Sequence, residues 1–312
     1  MAVAQSGGVA RLITQRTGRQ VEVVGVTTFG DVSRENLAQI GGTGVFVSAL
    51  RDSLLRGEVD FAVHSLKDLP TGAPERIALG AVPARDDPRD ALVGRDGAKL
   101  ADLPAGARIG TGSPRRAAQI ALLRSDVTCV PIRGNAGTRL AKVSDGELDA
   151  VVLAYAGLVR IGQTDLVSEI FEPDEMIPSP GQGALAVECR ADHTELIELL
   201  ATIDHAATRA AVTAERTLLA ALEAGCSAPV GAYAAFTSTR LQLDAIVLGV
   251  PAAPQQPGLD VSAAGGTMVI RERGEADATD AARLGRELAA RMLALGAADL
   301  MGAKTDRDDA HE

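Results

Sequence analysis

Residues 56–63 read RGEVDFAV, and residues 145–152 read DGELDAVV. Each closes a helical stretch with Gly-Glu, then gives an apolar residue, an aspartate and a short apolar run of strand type. Ahead of the first lies GVFVSALRDSLLRG (44–57), where Val45, Ala49 and Leu50 fall on one side and Leu54 follows at helical spacing. Helix into strand is the α/β rhythm. The echo has two readings. Helix-glycine-strand junctions look alike in any α/β protein; alternatively, the chain builds two similar lobes facing a cleft, where ligands lie beyond the carboxyl ends of the strands.

Composition narrows the setting. The chain has 312 residues, enough for two or three domains. Hydrophobic residues make up 46 % and aromatics 2 %, with no Trp, so Ala, Val, Leu and Ile must fill the core, which suits helices on parallel strands. Cys129, Cys189 and Cys226 are too few and too far apart for a disulfide framework, and His64, His193, His205 and His311 show no metal-ligand spacing. No metal is expected. The N-terminus lacks the pattern of a signal peptide and no apolar run has spanning length, so a cytoplasmic protein is expected. A formal net charge of −10 argues against nucleic acid or an anionic membrane as partner.

Two stretches look like crossings between lobes: PARDDPRDALV (83–93) and EPDEMIPSPGQGA (172–184). They imply a chain that goes out to a second lobe and returns. Residues 1–83 with 184–202 are then the first lobe, 89–177 the second, and 205–312 a separate α+β domain. That last domain holds the alanine-rich helix 208–224 and an amphipathic helix with Leu284, Leu288, Met292 and Leu295 on one stripe.

Within this acidic chain, residues 108–142 carry seven basic residues and one acid, Asp126. A charge run is often only a solvated face. Here, however, ARIGTGSPRRAAQI runs from strand to helix with Pro114 at its first position and Arg115 and Arg116 in its first turn. Cations there oppose the helix dipole unless an anion lies nearby, so the pair reads as ligand-binding rather than architectural. PIRGNAGTRLAKV repeats the scheme with Arg133 and Arg139. Arginine forks suit carboxylates and phosphates, and no nucleotide-binding glycine pattern is present. The strand in FAVHSLKDLPTG delivers His64, Ser65, Lys67 and Asp68 to the same cleft. Asp68 is placed to stabilise a positive charge or shuttle a proton.

In EAGCSAPVG (223–231), Cys226 sits after a helix end between glycine and serine, either in a flexible cap or as a reactive thiol. Cys129 and Cys189 lie in strand patterns as small apolar residues.

Together AVHSLKDLPT, GTGSPRRAAQ, RGNAGTRLAK, LAYAGLVRIG, PGQGALAVECR and AERTLLAALEAGCSAPVG resemble the hydroxymethylbilane synthase (porphobilinogen deaminase) family, in the family's order, from about residue 30 to 235. The resemblance implies an α/β fold of two type II periplasmic-binding-protein-like lobes around a cleft plus a C-terminal α+β domain. It implies a cytoplasmic, monomeric transferase of porphyrin and haem biosynthesis. Four porphobilinogen molecules condense with loss of ammonia on a covalent dipyrromethane primer, and water releases the linear tetrapyrrole. By the same resemblance the primer is held by thioether at Cys226. Lys67, Thr111, Ser113, Arg115, Arg116, Arg133 and Arg139 bind it or the substrate carboxylates, Asp68 is catalytic, and Gln182, His64 and Ser65 lie near the substrate.

Two departures stand out. A family segment R-x-G-T-R-x-S-x-L-A precedes an A-x-x-Q stretch; here Met1 falls inside it, so a first core strand is expected to be missing and the start to be mis-assigned or shortened. In GGTGVF, Thr43 replaces a common lysine. The rival readings are an N-terminally truncated inactive homologue and a receptor-like module that binds carboxylates.

Overall fold

The computed structural model describes residues 1–26, 43–72, 74–224, 228–249 and 268–301, the side chains of 43–46 excepted. Helix α1 (Ala2–Thr17) buries Val9 and Ile13, and α2 (Thr43–Arg56) buries Leu54. Strand β1 (Phe61–Ser65), a 3-10 turn (Leu66–Asp68) and β2 (Ile77–Ala81) follow. A second sheet is then built from β3 (Asp90–Gly94), β4 (Arg108–Gly110), β5 (Thr128–Val130), β6 (Ala150–Ala154) and β7 (Glu169–Ile170). Between them lie α3 (Pro114–Leu123), α4 (Ala136–Ser144) and α5 (Tyr155–Arg160). The chain returns to the first sheet as β8 (Leu185–Arg190), and α6 (Thr194–Ala201) packs on β2.

The aliphatic composition suggested parallel strands, and the structure corrects this in part. Among the described residues only β5, β4 and β6 are parallel; β3 runs antiparallel to β6 and β7. In the first sheet β8 lies antiparallel between β1 and β2. The reason is connectivity: parallel neighbours need a crossover, commonly a helix, whereas β8 enters from the return crossing. The continuous apolar run of β6, AVVLA, has Ala150 to Leu153 buried at the centre of its sheet.

The two crossings run side by side. The Asp86 amide donates to the Gly183 carbonyl at 3.3 Å. Gly183 has φ +84°, and a Cβ there would stand 2.5 Å from the Asp86 carbonyl oxygen, so only glycine permits this approach.

The last part is an α+β unit. Helices α7 (Ala206–Ala221) and α8 (Ala281–Ala294) pack on the antiparallel sheet β9 (Val230–Thr237), β10 (Arg240–Leu248) and β11 (Val269–Ala276). Leu218, Leu241, Leu288 and Met292 are fully buried between them. At Gly285 a Cβ would meet the Ala214 carbonyl oxygen at 2.4 Å, which is why the two helices can touch. Of the expected stripe, Leu284, Leu288 and Met292 are buried, but Leu295 is 59 % exposed because α8 ends at Ala294 and Leu295 caps it.

Candidate active site between the two sheets

Strand β1 pairs with β8 through Ser65, and the chain then tightens into the 3-10 turn whose buried Leu66 anchors it. The Leu66 amide donates to the Ala184 carbonyl at 3.0 Å. Lys67 and Asp68 are thereby carried to the edge of a cavity of about 370 Å³. Ser65, Lys67 and Asp68 line it from one side and Arg116, Asn135 and Arg139 from the other. Asp68 makes no side-chain hydrogen bond among the described residues. Lys67 Nζ donates to Gln182 Oε1 at 3.3 Å. Burial, though partial, pulls the Lys67 ammonium down to about 8, and the charge of Arg116 adds to the shift.

On the opposite wall, helix α3 begins in a regular way: Ser113 Oγ accepts the Arg116 amide at 3.4 Å, and Pro114 takes the first position. Thr111 is buried, its Oγ1 accepting the Ser113 amide at 3.2 Å. The anion that the cations of the first turn call for is Asp90 of β3, which is wholly buried. Arg115 donates to Asp90 Oδ2 at 2.7 Å and to the Ile177 carbonyl at 2.6 Å. Arg116 donates to Asp90 Oδ1 at 2.8 and 3.0 Å and to the Val152 carbonyl at 3.1 Å. Burial alone would raise the Asp90 carboxyl; the charges of Arg115 and Arg116 outweigh it and hold the group well below the usual carboxylate range. The countercharge that the first turn of α3 calls for is thus supplied by the fold itself. Both arginines tie α3 to β3 and to the return crossing, and Arg116 alone of the two also lines the cavity.

Gln182, 1 % exposed, joins the walls. Its Nε2 donates to Asp90 Oδ1 at 2.8 Å and the Pro88 carbonyl at 2.7 Å, while its Oε1 accepts from Lys67 and, at 3.4 Å, from Arg116. Asn135 caps α4 by accepting the Thr138 amide at 2.9 Å. Arg139 Nε donates to the Gly134 carbonyl at 2.9 Å, and Arg133 is exposed with no hydrogen bond among the described residues. Ser65 accepts from Gln5 Nε2 at 2.8 Å. His64 is buried away from this cavity, with Nε2 3.4 Å from Glu188 Oε2. Burial would raise Glu188, but His64 and a two-pronged bond from Arg51 bring it down to about 2. Cys226 lies outside the described residues, as does the Thr43 side chain.

The sequence reading missed Asp90, Arg85, Glu215 and Arg216. Glu215 of α7 is wholly buried. It accepts Arg85 at 2.6 and 3.1 Å, the Gly181 amide at 2.7 Å and the Ala234 amide at 2.8 Å. The available signals were an acid beside the basic cleft in PRDALV and a charged pair within an alanine-rich helix.

The cavity of this α/β protein is lined by Lys67, Arg116 and Arg139 together with Asp68, whose carboxylate has no hydrogen bond among the described residues. Two family models match the chain: "Porphobilinogen deaminase, dipyromethane cofactor binding domain" over residues 1–198 and "Porphobilinogen deaminase, C-terminal domain" over 209–255. The porphobilinogen deaminase of Thermobifida fusca is 59 % identical over 300 residues, covering 95 % of this chain and 91 % of its own. Porphobilinogen deaminase 1 of Streptomyces coelicolor is 57 % identical over 309 residues, covering 97 % and 94 %. Among solved structures, the periplasmic VFT2 domain of Bordetella pertussis BvgS is similar at 21 % identity and a TM-score of 0.37, over 64 % of this chain and 75 % of its own. The chain belongs to the porphobilinogen deaminase family. It is a transferase of tetrapyrrole biosynthesis, a hydroxymethylbilane synthase with a dipyrromethane cofactor. The residues present fit such a group in their chemistry: a carboxylate-bearing cofactor calls for cationic donors, and among the described residues Arg133 makes no hydrogen bond and Arg139 only one, through Nε.

Proposed function

We propose that the cavity between the two sheets is where porphobilinogen is condensed, with Asp68 as the catalytic carboxylate. What supports this reading is that Lys67 and Asp68 face Arg116 and Arg139 across one cavity while Asp68 has no hydrogen-bond partner among the described residues. Arg133, Arg139, Arg116 and Lys67 hold acetate and propionate side chains as charge-assisted bonds. Thr111, Ser113 and Arg115 shape the strand–helix turn that presents them, and Gln182 keeps Lys67 and Arg116 in register. Ser65 lines the same cavity, and His64 supports the strand from behind.

In each condensation the substrate's aminomethyl C–N bond breaks and ammonia leaves, a C–C bond to the chain forms, and the attacked pyrrole carbon gives up its proton. Asp68 stabilises the positive charge that develops as ammonia departs and hydrogen-bonds the pyrrole N–H groups. When bound, the dipyrromethane supplies the nucleophilic pyrrole on which the chain is built, and Cys226 holds it by thioether. The division into residues 1–83 with 184–202, 89–177 and 205–312, a monomeric state and a cytoplasmic location complete the reading; among the described residues no helix is long and apolar enough to cross a membrane. Intact-protein mass spectrometry tests it. The chain purified from a porphobilinogen-producing host carries a mass excess of two pyrrole units that Cys226→Ser lacks; an unmodified chain would instead favour a receptor-like module.

A further inference from the structure

The turn that carries Lys67 and Asp68 is held from the C-terminal unit. Arg216 of α7 donates to the Leu66 carbonyl at 3.0 Å, the Leu69 carbonyl at 3.0 Å and the Pro70 carbonyl at 2.6 Å. These acceptors bracket Lys67 and Asp68, one just before and two just after. The side chains of the pair offer little fixation themselves: Lys67 has a single bond at 3.3 Å, and Asp68 has none among the described residues. The position of the Asp68 carboxylate is thus set by its backbone, and a rigid guanidinium fork on three carbonyls fixes the peptide planes around it.

The preceding residue holds the other half of the site. Glu215 takes the Gly181 amide, and its partner Arg85 donates through Nε to the Gln182 carbonyl at 2.7 Å. Gln182 in turn receives Lys67. At Gly181, φ +75°, a Cβ would stand 3.3 Å from the Lys67 amide nitrogen, so the return crossing and the turn are in close contact. Two consecutive residues of one helix therefore clamp the two pieces that meet at Lys67.

We infer that Arg216 is a positioning residue for the condensation, acting through the Leu66–Pro70 turn to hold Asp68 at the reacting centre. Helix α7 ends at Ala221, five residues before Cys226 in sequence, so one rigid element sets the place of the catalytic turn and leads into the anchor of the growing chain. This rests on the role given to Asp68 above.

The test compares Arg216→Gln, Arg216→Lys and Asp68→Asn as holoenzymes, with the cofactor counted by intact mass and kcat expressed per folded holoenzyme. Misplacement by about 1 Å costs on the order of 10²-fold in rate. The expected result is a kcat lower by about that factor in Arg216→Gln, KM within about threefold, the cofactor retained, and about tenfold recovered in Arg216→Lys, which can still donate to two carbonyls. Three results overturn the inference while leaving Asp68 in its role: a kcat within about threefold of the parent, a fall in stability with kcat unchanged, or loss of the cofactor. A fully active Asp68→Asn overturns instead the reading on which it stands.

Discussion

One aspartate lines the cavity and another lies behind Arg116, and they differ in what already holds them. Asp90 is wholly buried and takes Arg115, Arg116 and Gln182. Asp68 is half-buried and has no side-chain bond among the described residues. The cations divide the same way. Arg115 and Arg116, 3 % and 6 % exposed, bond Asp90 and the carbonyls of Ile177 and Val152, whereas among the described residues Arg133 and the outer nitrogens of Arg139 have no such partner. Removing charges from water costs several kcal/mol each, so a buried group must be paired within the protein. Charge in the sequence counts donors and acceptors; the partner decides which remain for a ligand.

The first way to break this comparison is to exchange the carboxylate for an amide at each position. Asp68→Asn is expected to lower kcat by about 10²–10⁴-fold, the range for a lost acid–base or charge-stabilising group, with the urea midpoint nearly unchanged. Asp90→Asn should do the reverse in kind. Arg115 and Arg116 would keep their burial without a countercharge, at about 3–5 kcal/mol of stability, visible as a lowered urea midpoint. A destabilised Asp68→Asn or a Asp90→Asn of parental stability would remove the distinction.

How much of this was legible follows from the same physics. The helix-glycine-strand junctions at 56–63 and 145–152 do lead into β1 and β6, since local propensity and an apolar run suffice there. Pro114 does take the first position of its helix, as the strand-to-helix reading of ARIGTGSPRRAAQI implied. Strand direction was not legible, because β8 joins the first sheet across the whole of the second one and no local pattern encodes that. Asp90 escaped for the same reason: it is 25 residues from Arg115 in sequence, and only the fold brings them to 2.7 Å. Glu215 and Arg216 sit in an alanine-rich helix with nothing local to mark them, and their partners lie at Arg85, Gly181 and the turn after β1.

A third prediction concerns Lys67, which is pulled down to about 8 from 10.5. The folded chain gives up this proton before the unfolded chain does, so between those values the unfolded state binds more protons and stability rises with pH. Ligand binding runs the other way: a carboxylate needs the ammonium charged, so KM for porphobilinogen is expected to climb above pH 8, by up to about tenfold per unit if this contact dominates. Lys67→Arg stays charged throughout, and its KM should be flat over that interval. An unchanged alkaline rise in Lys67→Arg would assign the titration to another group.

The smallest effect on the fold, and the finest test of the comparison, is Arg139→Gln. Its Nε bond to the Gly134 carbonyl closes a local turn at the start of α4, and the residue lines the cavity. Burial, reinforced by Arg116, lowers its pKa, a shift toward losing the charge that a ligand carboxylate nearby would reverse. Stability should therefore stay within about 0.5 kcal/mol of the parent, while KM rises about tenfold for the loss of one partly screened charge-assisted bond, equivalent to about 1.4 kcal/mol. If Arg139→Gln instead unfolds as readily as Asp90→Asn, the arginines of α4 belong with those of α3 to the framework, and the carboxylates of the ligand must be met by Lys67 and Arg133.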